Sequence, residues 1–136
     1  MLVKKKRIFP ERLICSSANR ALSTARGLAA FISLDENEIQ INNRIYAASL
    51  ETLLDIVQAQ PYNCRYCMLV GHNPGLDCLI EELCGVEDFF QCGGSLSTSS
   101  MAAIKFDCGW ADLTPGSASL SYIVRPDDID EQSLNI

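Results

Sequence analysis

Apolar and polar positions along this chain follow two periods, one typical of strands and one typical of helices. Short apolar runs that are bounded by polar or turn-forming residues predict strands. They lie at residues 12–15, 38–41 leading into 45–46, 66–70, 100–106 and 119–124. Longer stripes, with apolar residues three and four positions apart, predict helices at residues 18–33, 50–60 and 74–84.

Polar residues and glycine mark the ends of the predicted helices. Ser17, Ser49 and Asn73 stand where N-cap residues are expected, and Pro74 suits the first helical position after Asn73. Gly85 follows the third apolar stripe, as a helix-terminating glycine does. These residues divide the chain into discrete elements with short connections between them.

The predicted order of elements is strand and helix in alternation three times, followed by two strands. Residues 86–97, which contain Gly93-Gly94, predict an irregular segment, and residues 107–116 predict a hairpin loop around Trp110. Because helical crossovers join parallel strands, the order predicts an α/β fold: a three-layer arrangement with a mostly parallel sheet, flanking helices and a C-terminal hairpin. We expect one domain spanning residues 1–136.

Composition narrows the class of protein and its partners. The net charge is −6, and the basic run Lys4–Arg7 is confined to one end, which argues against a nucleic-acid partner. No apolar run has the length of a membrane span or follows the basic residues as in a signal peptide. Seven cysteines, placed within apolar patterns, favour free thiols in a reducing compartment. We therefore expect a cytoplasmic protein without a membrane partner.

Two predicted strand-to-helix junctions carry the candidate chemistry. Arg20 lies in the first turn of the first helix, and His72, the only histidine, follows the third strand. The carboxyl ends of parallel strands meet at one sheet edge, where α/β proteins bind ligands. A cation in a first helical turn opposes the helix dipole unless an anion resolves the conflict. Arg20 and His72 together therefore predict a pocket for a phosphoryl group. Arg20 alone is more consistent with a surface side chain, and His72 alone is equally consistent with a hydrogen-bonded histidine of the turn.

These junctions resemble motifs of the histidine phosphatase superfamily, which is phosphoglycerate mutase-like. Residues 16–25, Ser-Ser-Ala-Asn-Arg-Ala-Leu-Ser-Thr-Ala, are similar to its S-S-x-x-x-R-A-x-x-T-A motif, with two residues instead of three between Ser17 and Arg20. Residues 70–76, Val-Gly-His-Asn-Pro-Gly-Leu, resemble the corresponding motif of the phosphohistidine phosphatase branch, the SixA type. Segments of the closing hairpin around Trp110, and Arg125-Pro126, also resemble this branch. The resemblance covers roughly residues 10–128.

The resemblance implies hydrolysis of phosphohistidine or a small phosphomonoester through a covalent phosphohistidine, without metal or other cofactor. Arg20 matches a phosphate-binding arginine, and His72 matches the second, non-nucleophilic histidine. These two residues are the candidate catalytic residues. Ser17 and Asn73, beside them in the sequence, complete the candidate phosphate-binding set.

The chain departs from the family pattern at the nucleophile. The family carries an Arg-His-Gly or Arg-His-Ala motif on a first strand, and this sequence has no such motif. The chain is therefore expected to be weakly active or inactive. Three explanations stay open: an N-terminal truncation, which we favour, a natural pseudoenzyme, or a strand supplied by another chain. The missing strand would leave a sheet edge exposed, which predicts a homodimer.

Two other functions compete with the phosphatase. A non-catalytic module would bind phosphate or a phosphorylated protein through the same residues. A redox or zinc protein would use Cys64 and Cys67, which have C-x-x-C spacing but no second pair, so we favour structural thiols and no metal. Glu51 and Asp77, both near predicted helix starts, are best explained as acids that complement helix dipoles.

Overall fold

The computed structural model describes residues 10–125. By their contacts, these residues form two compact units, one of residues 10–48 and 61–72, and one of residues 49–60 and 73–125. The basic run Lys4–Arg7, Pro126 and the acidic tail lie outside the described residues. Among residues 10–125, none of the helices combines the length and the apolar character that crossing a bilayer requires.

The first unit is built on a three-stranded parallel sheet. Its strands are β1 (Arg12–Cys15), β2 (Ile39–Ile41) and β3 (Cys67–Val70), in the order β2-β1-β3. The central strand pairs Leu13 with Ile39 on one side and with Met68 on the other. Helix α1 (Asn19–Phe31) follows β1 and provides the crossover to β2.

Helix α1 covers one face of this sheet through three alanines. Ala21, Ala25 and Ala29 are buried, and their small side chains form one cluster with Leu13 and Cys15 of β1. Leu13 and Cys15 belong to one face because side chains alternate along a strand. The residues that pack around this cluster are mostly apolar side chains on the adjoining strands and on α1: Leu22, Ile39, Met68 and Val70. The cluster fixes the start of α1 relative to the ends of β1 and β3.

The second unit contains three helices and a hairpin. The helices are α2 (Leu50–Gln58), α3 (Gly75–Cys84) and α4 (Val86–Gln91), and the antiparallel strands are β4 (Met101–Phe106) and β5 (Ala118–Val124). Ser49 caps α2 by accepting the N–H of Thr52, as predicted. Gly85 ends α3 with φ +96°, a conformation that favours glycine.

The loop of the hairpin is ordered around aromatic and apolar contacts. A 3₁₀ turn spans Trp110–Asp112, and the Trp110 ring meets Phe106 edge to face at a centroid distance of 4.9 Å. Leu113 is buried, and its carbonyl accepts a hydrogen bond from Gln58. The predicted class, an α/β fold with a parallel sheet, flanking helices and a C-terminal hairpin, is confirmed.

Four local predictions are wrong. Pro74, not Asn73, is the N-cap of α3, and Gly75 is its first helical residue, while the Asn73 side chain accepts the Asp77 N–H. Ala18, not Ser17, is the N-cap of α1, because the hydroxyl of the preceding Ser16 accepts the Ala18 N–H. The second strand stops at Ile41, since the Asn42 side chain accepts the Arg44 N–H and turns the chain. Residues 86–97 are not wholly irregular: α4 forms there because Phe89 is buried.

Candidate functional site

The ends of β1 and β3 place the two candidate catalytic residues at one edge of the first unit. Cys15 pairs with Val70 at the last position of both strands, and the Ser16 N–H donates to the Val70 carbonyl at 3.0 Å. The chain therefore leaves both strands at the same level. Arg20, in the first turn of α1, comes five residues after the end of β1, and His72 comes two residues after the end of β3.

Ser16 holds the imidazole of His72. Its side chain is fully buried, with 0% of its surface exposed, and its Oγ lies 2.7 Å from Nε2 of His72. The same oxygen accepts the Ala18 N–H at 3.3 Å, so its hydroxyl proton needs an acceptor. Nε2 of His72 is the acceptor that the described residues provide. This favours the neutral tautomer with the proton on Nδ1, and leaves that N–H available to a ligand.

Partial burial of the imidazole and a neighbouring cation both lower the pKa of His72. Burial lowers the pKa of His72 below its usual value of 6.5, and the positive charge of Arg20 lowers it further. The charge of Arg20 acts on the imidazole because both residues follow the ends of the paired strands β1 and β3. An anion bound between the two groups would reverse the second effect, because it would stabilise the imidazolium.

The first turn of α1 has backbone N–H groups that no capping side chain accepts. No side chain caps the helix, and its first turn contains no acidic residue. Arg20 is exposed, and within residues 10–125 its guanidinium has no hydrogen-bond or ion-pair partner. Ser17 is also exposed, one residue before the N-cap. Uncapped backbone N–H groups and an unpaired guanidinium favour an anion at this position.

An aromatic side chain that the sequence reasoning did not single out also contacts His72. The ring of Tyr46 meets the imidazole with a centroid distance of 5.6 Å and an interplanar angle of 78°. The segment after β2 is tied to the same sheet edge, because the Asn42 N–H donates to the Cys15 carbonyl. Sequence pattern places Tyr46 near the second strand but gives no signal for this contact.

Asn73 is engaged in a different set of contacts. Its amide nitrogen donates to the Leu96 carbonyl at 2.6 Å, and its Oδ1 accepts the Asp77 N–H at 3.1 Å. Asp77 in turn accepts hydrogen bonds from the Leu96 N–H and the Ser95 hydroxyl. These bonds hold residues 95–96 to the start of α3 within the second unit. A phosphate contact by Asn73 stays a prediction.

The cysteine pair has the properties of structural thiols. Within residues 10–125, neither Cys64 nor Cys67 forms a disulfide, and the Cys64 thiol donates to the Tyr66 carbonyl. Burial, reinforced by the neighbouring Cys64, raises the pKa of Cys67 to about 12. A thiol that stays protonated at neutral pH is a poor nucleophile. Within residues 10–125 no group of three histidine, cysteine or acidic side chains is arranged to hold a metal ion.

Solved structures provide the comparison with known proteins, since no protein-family model and no curated protein matches the chain. A protein from Agrobacterium tumefaciens, provisionally named phosphohistidine phosphatase SixA, is 25% identical, with a TM-score of 0.75 over 92% of this chain and 73% of that one. A protein from Nakamurella multipartitia with the same provisional name is 19% identical, with a TM-score of 0.68 over 92% and 76%.

A third structure is the protein histidine phosphatase SixA in complex with tungstate. It is 17% identical to this chain, with a TM-score of 0.76, and the match covers 95% of this chain and 77% of that one. At these identities the similarity is one of architecture, and it extends over nearly the whole chain. The predicted resemblance is confirmed at that level: this chain has the fold of the SixA phosphohistidine phosphatases.

Proposed function

We propose that this chain binds the phosphoryl group of phosphohistidine or of a small phosphomonoester at the edge formed by the ends of β1 and β3. The observation that carries the proposal is the pairing of β1 with β3, because Arg20 and His72, far apart in the sequence, follow the adjacent ends of these two strands. The exposed guanidinium binds two phosphoryl oxygens side by side. His72 donates from Nδ1 to another oxygen, and Ser17 with the first N–H groups of α1 completes the set of donors.

Each part of the site has a defined role in this proposal. Ser16 is a positioning residue, because its hydrogen bond to Nε2 turns Nδ1 of His72 toward the ligand. The positive charge of Arg20 stabilises the site only when the anion is bound. The lowered pKa of His72 keeps the empty site from carrying two adjacent cations. Binding of a dianion then favours protonation of the imidazole, and the hydrogen bond to Ser16 reverses so that Nε2–H donates to Oγ.

We propose that turnover by this chain is weak or absent. Hydrolysis through a covalent phosphohistidine needs an imidazole whose lone pair attacks phosphorus. The sequence contains one histidine, and Ser16 occupies its Nε2. This favours phosphate or phosphoprotein binding over rapid hydrolysis and keeps the non-catalytic module as the second candidate. Cytoplasmic placement and a homodimer through an exposed strand edge stay predictions; within its sheet, β3 pairs on one side only.

Calorimetric titration with orthophosphate tests the proposal. We expect one site per chain with a Kd of about 1 mM or below at constant ionic strength, because two charge-assisted contacts are worth several kcal/mol. Perchlorate, a monoanion of similar shape, is the control and should bind far more weakly. Absence of heat up to tens of millimolar phosphate would contradict the proposal. Hydrolysis of p-nitrophenyl phosphate in the same samples separates an enzyme from a binding module.

A further inference from the structure

Tyr46 is an exposed aromatic side chain beside the proposed phosphoryl site. Sixty per cent of its surface is exposed, although its ring contacts the imidazole of His72. Its hydroxyl has no hydrogen-bond partner within residues 10–125. Most of the ring is therefore available to a ligand that reaches His72.

A buried neighbour and several hydrogen bonds hold the chain around Tyr46 in place. Ile45 is buried with 1% of its surface exposed, and it anchors the preceding turn. The backbone hydrogen bonds of this turn join Asn42 to Cys15, Ile45 to Asn42, and Ala48 to Ile45. The Asn42 side chain adds a bond to the N–H of Arg44. An exposed ring held on an anchored turn loses little conformational entropy when a ligand packs against it.

The geometry points to Tyr46 as a specificity-determining residue that packs against the group to which the phosphoryl is attached. This inference rests on the proposed function, since it assumes that the phosphoryl group lies between Arg20 and His72. A group attached to phosphorus that extends from the imidazole on the side of β2 packs against the exposed ring of Tyr46. A flat, unsaturated ring matches this surface better than an aliphatic chain, because aromatic rings favour offset or edge contacts. Among the ligands of the proposed function, Tyr46 therefore favours those whose phosphoryl group is attached to a planar ring.

Two phosphonates test this without hydrolysis, because their carbon–phosphorus bond is stable. Phenylphosphonate presents a planar ring and methylphosphonate presents an aliphatic group of the same charge type. We expect the unmodified chain to bind phenylphosphonate about tenfold more tightly than methylphosphonate, the size of an aromatic contact with its buried area. Tyr46→Ala should remove this preference and leave the methylphosphonate affinity unchanged. Tyr46→Phe should retain the preference, since the hydroxyl has no assigned role.

Tyr62→Ala is the matched control, because Tyr62 is 96% exposed and should leave both affinities unchanged. The inference is overturned if Tyr46→Ala keeps the preference. It is also overturned if this variant weakens both ligands equally, which would mean that Tyr46 acts only by supporting His72. If the unmodified chain binds phenylphosphonate and methylphosphonate equally well, the result contradicts this inference and leaves the proposed function intact. If neither phosphonate nor orthophosphate binds, the result contradicts the proposed function and this inference with it.

Discussion

Replacing Arg20 with glutamine is expected to weaken orthophosphate binding by about 10- to 100-fold, because a charge-assisted contact contributes roughly 1.5–3 kcal/mol. The guanidinium is exposed and has no ion-pair partner in the described part of the chain. Its removal therefore costs little folding free energy and acts mainly on the ligand. Glutamine retains a polar side chain of similar length but cannot supply the charge or the two-pronged contact. Calorimetry at fixed ionic strength measures the change.

Arg26→Gln provides the matched control for this prediction. Arg26 is exposed on the same helix but lies two turns further along, away from the start of α1. Both variants change the net charge by the same amount, so a general electrostatic effect on phosphate would appear in both. We expect Arg26→Gln to change the Kd by less than about twofold, because an exposed charge about 9 Å further along the helix makes no contact with the ligand and is weakened by salt. Equal losses in the two variants would contradict a specific role for Arg20.

Leu13→Ala is expected to lower the free energy of unfolding by about 3 kcal/mol, within the range found for buried leucines. Leu13 is completely buried on the central strand of the first sheet. Its neighbours on α1 include Ala21 and Ala25, whose small side chains cannot extend to fill the space that the leucine leaves. The truncation therefore leaves a cavity. Urea denaturation measures the loss, which is a large part of the stability of a small protein.

Leu22→Ala is the control for the core prediction. Leu22 packs on the same cluster but is only partly buried, so the same chemical change should cost about 1 kcal/mol. The comparison relates the loss of stability to the degree of burial of the leucine. A loss below about 1 kcal/mol for Leu13→Ala would contradict the described packing of β1 against α1.

The sequence predicts the elements of the site better than its details. The apolar runs identify β1 and β3, and parallel pairing alone brings Arg20 and His72 to one edge. The choice between Ser16 and Ser17 depends on how the chain turns at the end of β1, and no periodic pattern contains that information. The contact of Tyr46 with His72 depends on the path of the turn after β2. The sequence does not predict helix α4, because the Gly93-Gly94 pair that follows it indicates an irregular segment. The burial of Phe89, which distinguishes this helix from a loop, is visible only in the structure.

Nuclear magnetic resonance titration of His72 tests the central claim most directly. The chain has one histidine, so one imidazole signal reports on the site. Without ligand, we expect a pKa below 6.5, because burial and Arg20 both disfavour the imidazolium. Arg20→Gln should raise that pKa by removing the cation. Saturating orthophosphate should also raise it in the unmodified chain, because a bound dianion stabilises the imidazolium. A His72 pKa that responds to neither change would contradict the shared phosphoryl site.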